Sequence, residues 1–136
     1  MATSRTIPHL TRLSRHVYAS ATAELIGMNL KQVTMLAKLQ QQGELPQTLL
    51  CDMMGTSQNT VVTWLNELEE RGFVTRLRDP EDRRKHNVAI TEAGTVALDR
   101  ADDQLRKLED EALAGLSSDE RAQLRRLLAK ALDALA

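Results

Sequence analysis

Two helical patterns in the middle of the sequence are separated by only two residues, Gly55 and Thr56. Apolar side chains recur every three or four residues in 47–54 and again in 58–71, which predicts one helix in each range. Ser57 is a suitable N-cap for the second helix, because its hydroxyl can accept a bond from a backbone N–H one turn on. Two residues are too few to reverse the chain fully, so we expect the helices to cross sharply, as in a helix–turn–helix.

The hydrophobic pattern changes after Gly72, from a period of about 3.6 residues to a period of about 2. This change predicts two strands, at 73–78 and 85–90, joined by a charged tip that begins with Asp79 and Pro80. A hairpin that directly follows two crossed helices predicts a winged helix–turn–helix in a mainly α fold. The second helix is sized for the DNA major groove, which is about 12 Å wide, and the hairpin tip would reach the neighbouring groove.

Further amphipathic patterns flank this segment and predict helices at 7–25 and 30–41. Two more helices are expected after Thr91, itself a suitable N-cap, with a break at Gly115 and a capping-box pattern at Ser117 to Glu120. Their apolar stripes recur at steps of three and four residues: Leu98, Ala101, Leu105, Leu108 and Ala112, then Leu124, Leu128, Ala131 and Leu135.

A small winged domain cannot bury all of these stripes by itself, so we expect them to pair with a second copy of the chain in a homodimer. The alternative is that the terminal helices fold back on their own chain. We divide the sequence into an N-terminal dimerisation helix (1–29), a winged helix–turn–helix domain (30–91) and C-terminal dimerisation helices (92–136).

Composition agrees with a helical protein. Aromatic residues make up 2% of the chain (Tyr18, Trp64 and Phe73), so we expect a core of Leu, Val, Met and Ala. No apolar run approaches the ~20 residues that span a bilayer, and we see no secretory leader. Cys51 is the single cysteine, which excludes an internal disulfide and suits a reducing compartment. We therefore expect a soluble, cytoplasmic protein.

The formal net charge of -1 conceals an uneven distribution. Between residues 71 and 86 the basic side chains outnumber the acidic ones: Arg71, Arg76, Arg78, Arg83, Arg84 and Lys85 against Asp79, Glu81 and Asp82. Phosphate attraction acts over roughly a Debye length, ~8 Å, so a local basic segment suffices for contact with DNA. The alternative is an ordinary solvated charged loop.

Three runs resemble the MarR (multiple antibiotic resistance regulator) family: LNELEERGFVTR at 65–76, DPEDRR at 79–84 and VAITEAG at 88–94. The order of elements agrees along nearly the whole chain. The resemblance implies a homodimeric transcription regulator, usually a repressor, that binds a pseudo-palindromic operator. It also implies release by a small anionic or phenolic effector, or by cysteine oxidation.

The resemblance assigns a set of recognition-helix positions: Ser57, Gln58, Asn59, Thr60, Thr63 and Asn66. Arg84 matches the wing arginine that enters the minor groove, and Asp82 matches the carboxylate that orients it. Arg76 and Arg78 would lie near phosphates. Two basic side chains of the tip complete the expected DNA-binding set: Arg83 and Lys85. Family members often carry a basic residue where Thr63 and Glu67 stand, so we expect fewer phosphate contacts and a shallower salt dependence.

Several residues have a structural and a functional interpretation. Trp64 shares the register of the apolar face, which favours a half-buried core position over base stacking. Cys51 is better explained as a small buried hydrophobe than as a redox sensor, since no neighbour in sequence would lower its thiol pKa. His9 and His16 either line an effector cleft with Arg12 and Arg15 or belong to a hydrophilic helix face.

No arrangement of residues indicates a metal site, a cofactor or a catalytic centre. The three histidines, the third being His86, lack metal-ligand spacing with one another and with Cys51. A set of acidic residues is better explained as solvated surface than as a catalytic pair: Glu92, Asp99, Asp102 and Asp103. We find no nucleophile elbow and no P-loop. The leading hypothesis is a DNA-binding regulator, and its rival is a winged module that binds another protein.

Overall fold

The protein is described here from a computed structural model, in which residues 5–135 are placed. The predicted N-terminal segment (1–29) begins before that range, and the predicted C-terminal segment (92–136) ends after it. In chain order the elements are α1 (Thr6–Ser20), α2 (Ala23–Ile26), α3 (Leu30–Gln42), β1 (Leu45–Pro46), α4 (Gln47–Met54), α5 (Gln58–Glu70), β2 (Val74–Arg78), β3 (His86–Ile90), α6 (Glu92–Ala112) and α7 (Ser118–Asp133). The mainly α winged helix–turn–helix predicted from the sequence is confirmed.

The sheet has three antiparallel strands in the order β1-β3-β2, whereas the sequence predicted only the hairpin of β2 and β3. Within the hairpin Arg76 pairs with Val88, and the missed strand β1 places Leu45 opposite Val88 from the other side. A two-residue strand is too short to show alternation, and Pro46 occupies an edge position where no ladder N–H is needed. The extra strand ties the segment before α4 to the wing.

The helix predicted at 7–25 was wrong in its extent, because α1 ends at Ser20 and a separate short helix, α2, follows. Thr22 starts that second helix. Its hydroxyl accepts a bond from the backbone N–H of Leu25 (3.3 Å), and its carbonyl accepts one from Ile26 (3.1 Å). A threonine side chain that bonds nearby backbone N–H groups competes with a continuous helix.

The other helix boundaries lie close to their predicted positions, and the predicted caps are present. The Ser57 hydroxyl accepts from the N–H of Thr60 at 3.2 Å. At the start of α7, Ser117 and Glu120 form the predicted capping box. Gly55 ends α4 in the left-handed conformation (φ 64°), which glycine adopts without a steric penalty.

Residues 21–105 form one compact unit with its own apolar core. The most deeply buried side chains are Met35, Leu36, Leu39, Leu50, Val61, Leu65, Leu68, Val74, Val88 and Leu98. The prediction of a core without aromatic residues is thus confirmed. Trp64 is half-buried, also as predicted, and Cys51 is buried.

Residues 5–20 and 106–135 belong to a second compact unit. Within it, the Arg121 guanidinium joins α7 to α6, through the Asp110 carboxylate (2.8 Å) and the Leu113 carbonyl (3.2 Å). Neither α1 nor α7 contains a buried residue among those described, and Leu132 and Leu135 are 66% and 84% exposed.

The apolar stripe predicted for α6 is divided between two environments. Leu98 and Ala101 are already buried within the single chain, so this part of the stripe does not remain for a second copy, contrary to the prediction. The positions nearer the C-terminal end of α6, Leu105, Leu108 and Ala112, are only partly covered. The three-part division at residues 29 and 91 stays a prediction. Among the helices described, none is long and apolar enough to cross a membrane.

One junction joins α5, the wing and α6. The Thr91 hydroxyl donates to the Gly72 carbonyl (2.6 Å) and accepts from the N–H of Gly94 (3.0 Å), while the Thr91 N–H donates to the Phe73 carbonyl (3.0 Å). Gly94 packs directly on the Phe73 carbonyl, where a Cβ atom would collide with that oxygen and lie 2.8 Å from Ile90 Cγ1. The predicted N-cap at Thr91 is confirmed and carries this wider role.

Gly94→Ala should destabilise the protein by about 1–3 kcal/mol, because the backbone oxygen that the new methyl group meets cannot rotate away. Gly115→Ala is the matched control, since a Cβ atom there meets nothing within 4 Å. Urea unfolding followed by circular dichroism measures both free energies of unfolding. Equal stability of the two variants would show that the close approach at Gly94 is not a constraint.

Candidate nucleic-acid interface

The N-terminal turn of α5 carries the two side chains best placed to contact a ligand. Gln58 and Asn59 are exposed, and neither side chain makes a hydrogen bond within residues 5–135. Ser57 and Thr60 are engaged with each other, since their hydroxyl oxygens lie 2.8 Å apart. The free amides of Gln58 and Asn59 can both donate and accept, which is the chemistry that reads base edges.

One turn further along α5, Thr63 is exposed but its hydroxyl donates to the Asn59 carbonyl at 2.9 Å. That bond occupies the only hydroxyl proton and leaves the methyl group and the oxygen lone pairs available. Thr63 therefore presents an acceptor and an apolar surface, where an exposed basic residue would present a cation.

Glu67, the second position at which family members often carry a basic residue, has a structural partner. Its Oε2 accepts a bond from Gln32 Nε2 at 2.7 Å. Gln32 is the one buried polar side chain of the described core, and its Oε1 accepts the N–H of Asn29 at 3.1 Å. The same Nε2 lies 3.4 Å from the Trp64 carbonyl. The carboxylate at position 67 thus ties α5 to α3 and satisfies a buried amide.

On the opposite side of α5, Asn66 and Glu69 are engaged by Arg76 from β2. The Arg76 guanidinium donates to Asn66 Oδ1, lies 3.3 Å from Glu69 Oε1, and reaches Gln47 Oε1 on α4 at 3.4 Å. A phosphate contact by Arg76 and a base contact by Asn66, both predicted from the sequence, would compete with these bonds. Those two assignments stay predictions.

The wing tip is closed by a short set of local bonds. The N–H of Asp79 donates to the Lys85 carbonyl (2.9 Å), and the Asp79 carboxylate accepts from the N–H of Glu81 (2.8 Å). The N–H of Lys85 in turn donates to the Asp82 carbonyl (3.0 Å). These bonds give a highly charged seven-residue connection a defined turn. Arg83 and Lys85 within it, and Arg78 at the end of β2, are exposed cations.

Asp82 and Arg84 form the pair expected from the sequence. Asp82 Oδ1 accepts from the backbone N–H of Arg84 at 3.0 Å and from its Nε at 3.3 Å, yet the Arg84 side chain is 92% exposed. The bond from the backbone N–H, and then the bond from the guanidinium, lower the pKa of the Asp82 carboxyl. The carboxylate therefore orients the base of the arginine side chain while the far end of its guanidinium remains free to bind an anion.

Arg71, like Arg76, is engaged by other parts of the fold. It donates to the Gly27 carbonyl, and its guanidinium carbon lies 4.6 Å from the centre of the Phe73 ring. The exposed cations of the wing are therefore Arg78, Arg83, Arg84 and Lys85.

The remaining candidates lie elsewhere. Arg12, Arg15, His16 and Ala19 line a shallow hollow on α1, and His9 Nδ1 donates to the Arg5 carbonyl at 3.0 Å. Burial, and then the neighbouring Asp52, raise the pKa of the Cys51 thiol, which favours the structural interpretation. Among the described residues, no group of histidine, cysteine or acidic side chains is arranged to hold a metal ion.

Sequence reasoning missed the residues that hold α5 in place: Gln32, Gln47 and Glu69. Each is a polar side chain on a helix whose pattern shows only which face is apolar. Gln32 carried one usable signal, because it occupies the N3 position after Asn29 and completes a capping box there. Its contact with Glu67, 35 residues away, depends on the tertiary fold.

Since the Asp82 pKa is lowered in the folded protein, the bond to Arg84 is fully formed above the pKa of an unfolded aspartate. It is lost only as the pH falls through the lower folded value. An NMR titration of the Asp82 carboxyl should give a midpoint below that of the same residue in urea. In Arg84→Ala the midpoint should rise only in part, because the backbone N–H bond remains. A full return to the unfolded midpoint would contradict this order of causes.

A model of the MarR family matches residues 28–86, the segment that contains α3 to the wing. A probable transcriptional regulator from Pseudomonas aeruginosa is 29% identical with a TM-score of 0.77, covering 93% of this chain and 96% of that one. MarR from E. coli in its apo form has a TM-score of 0.83 at 19% identity, covering 97% and 99%. BpsR from Bordetella bronchiseptica has a TM-score of 0.73 at 25% identity, covering 93% and 98%.

The family model covers the elements that carry the candidate interface, and the solved structures share the fold over nearly the full length of the chain. The chain is therefore similar to MarR-family transcriptional regulators in the segment that carries the candidate interface and in its overall fold.

Proposed function

We propose that this protein is a homodimeric transcriptional regulator that binds a pseudo-palindromic operator in double-stranded DNA in the cytoplasm and acts as a repressor. In this proposal α5 lies in the major groove and the wing reaches the adjacent minor groove. The observation that carries the proposal is that free amides on α5 and an exposed, oriented Arg84 occur on the same compact unit, residues 21–105. Neither the amides of α5 alone nor Arg84 alone would distinguish DNA from another polar partner.

Gln58 and Asn59 are the side chains we assign to base recognition, with Thr63 as a neighbour that can accept a bond or contact a thymine methyl group. Arg84 supplies a cation for the narrow minor groove, where the negative potential is strongest. Arg78, Arg83 and Lys85 supply sequence-independent attraction to phosphates. Base contacts thus come from the helix, and most of the electrostatic affinity comes from the wing.

A dimer is required for a palindromic site, because each chain contributes one α5. Two copies related by a two-fold axis would present their recognition helices about 34 Å apart, one turn of DNA. The exposed leucines of α7 and the exposed Ile7 of α1 support this assembly, since burying large apolar side chains against a second copy is favourable.

The effector is the finer part of the proposal. Arg12 and Arg15 offer positive charge in the hollow on α1 that His16 also lines, which suits a small anionic or phenolic ligand. BpsR, one of the similar structures, has its DNA binding regulated by 6-hydroxynicotinic acid. This likeness supports an aromatic acid as the first ligand class to test.

Arg84→Ala should weaken binding to every DNA sequence, by about tenfold, and lower the slope of log K against log salt by ~1 per protomer. Asn59→Ala should instead change the preference among sites, since a bidentate base contact supplies ~1–3 kcal/mol of discrimination. Fluorescence anisotropy with a randomised duplex library at several salt concentrations measures both effects. Arg100→Ala, an exposed arginine on α6, is the control for the loss of one charge.

The rival hypothesis, a winged module that binds another protein, predicts no salt-sensitive association of the wild-type protein with duplex DNA. Co-sedimentation with random duplex at low salt separates the two hypotheses. If the wild type binds and Arg84→Ala binds equally well, the wing assignment is wrong while the function stands.

Leu132→Glu should weaken the dimer, because it places a charge on an exposed apolar side chain of α7 that lies one turn after Leu128 and next to Ala131 of the apolar stripe. Lys130→Gln is the matched control: it also lowers the net charge by one, but it lies on the opposite side of the helix. Sedimentation-velocity runs over a range of concentrations should show dissociation of the Leu132 variant at concentrations where the control remains dimeric. A wild-type protein that sediments as a monomer would overturn the dimer proposal.

A further inference from the structure

Arg76 differs from the other wing cations in both exposure and partners. Its side chain is only 15% exposed, whereas Arg78, two residues further along the same strand, is exposed. The guanidinium contacts acceptors on two helices: Asn66 and Glu69 on α5, and Gln47 on α4. The arrangement therefore joins both helices of the helix–turn–helix to the first strand of the wing.

The chemistry of the pocket around Arg76 disfavours a phosphate. An incoming phosphate would have to displace the Glu69 carboxylate or approach it closely, and two like charges repel. The Asn66 amide oxygen also faces the guanidinium, so a base contact by Asn66 would leave Arg76 with one acceptor fewer. A planar guanidinium with fixed N–H directions matches several acceptors at once, which suits it to hold elements in register.

We propose that Arg76 is a positioning residue that fixes the wing relative to α5, and that Asn66 holds Arg76 in place instead of reading a base. This inference rests on the proposed function, because its consequence appears only when helix and wing bind DNA together. The recognition helix and Arg84 must reach two adjacent grooves at the same time. A rigid connection between β2 and α5 lets the second contact form without a further cost in ordering.

The proposal predicts that Arg76→Gln weakens DNA binding by about tenfold without changing the salt slope, because no phosphate contact is lost. It also predicts that the effects of Arg76→Gln and Arg84→Ala are not additive. Once the wing is no longer held, Arg84 contributes less, so its removal costs a smaller factor in the Arg76→Gln background than in the wild type. Arg78→Gln, on the same strand but exposed, is the matched control and should lower the slope.

A second variant tests the same contact from the α5 side in case Arg76→Gln does not fold. Glu69→Ala removes a negative charge from the helix, so simple electrostatics predicts tighter DNA binding. The positioning role predicts weaker binding, with the same loss of coupling to Arg84→Ala. Each variant is assayed at a temperature where circular dichroism shows it to be folded, so that a loss of stability alone does not lower the measured affinity.

The outcomes separate clearly. Weaker binding with an unchanged slope and non-additive effects supports the proposal. A lower slope with additive effects identifies Arg76 as a phosphate contact and overturns it, as does tighter binding by Glu69→Ala. Unchanged affinity of the folded Arg76→Gln protein reduces the residue to a stabilising role and also overturns it. If the wild type does not bind DNA at all, the proposed function fails first, and that result is distinguishable from the others.

Discussion

The packing of Gly94 against the Phe73 carbonyl is the constraint on which the winged unit depends. This contact places the start of α6 against the link between α5 and β2. The Thr91 hydroxyl stabilises the junction, because it donates to the Gly72 carbonyl and accepts from the N–H of Gly94. Because β2 begins and β3 ends at this junction, both strands of the hairpin are held at its base. These contacts therefore fix the base of the wing, and beyond the base the Arg76 side chain joins β2 to α4 and α5.

Within that frame, polar contacts divide α5 into two functional halves. Toward its C-terminal end, Glu67 bonds Gln32 on one side and Glu69 bonds Arg76 on the other, so the helix is held from α3 and from the wing. Toward its N-terminal end, Gln58 and Asn59 have no such partners within the described residues. An anchored half and a free half suit the proposed role of α5 in reading bases, because side chains used for support are unavailable to a ligand.

The main features of the fold could be predicted from the sequence because they depend on local signals. The two-residue connection at Gly55 and the change of period after Gly72 determine a winged helix–turn–helix, and Ser57, Thr91 and Ser117 mark helix starts that the structure confirms. The errors have equally local causes. Thr22 divides the first helix by bonding nearby N–H groups, and the two-residue strand at Leu45 is too short to leave a pattern.

The candidate site was predictable only in part. The pair of Asp82 and Arg84 lies two residues apart, so a sequence motif can identify it. By contrast, Arg76 and Gln47 are 29 residues apart in sequence, and Gln32 and Glu67 are 35 residues apart. These contacts depend on how the helices cross. A pattern shows that such residues are polar, but it does not show whether they face DNA or each other.

The central claim is that α5 and the wing occupy adjacent grooves of DNA, twice, through a two-fold axis. Footprinting of the wild-type protein on a fragment selected from its own genome tests this most directly, with methylation protection for the major groove and hydroxyl-radical cleavage for the minor groove. The account predicts two protected major-groove segments one helical turn apart, each flanked by a protected minor groove. A single protected segment, or protected major grooves with fully cleaved flanks, would contradict it.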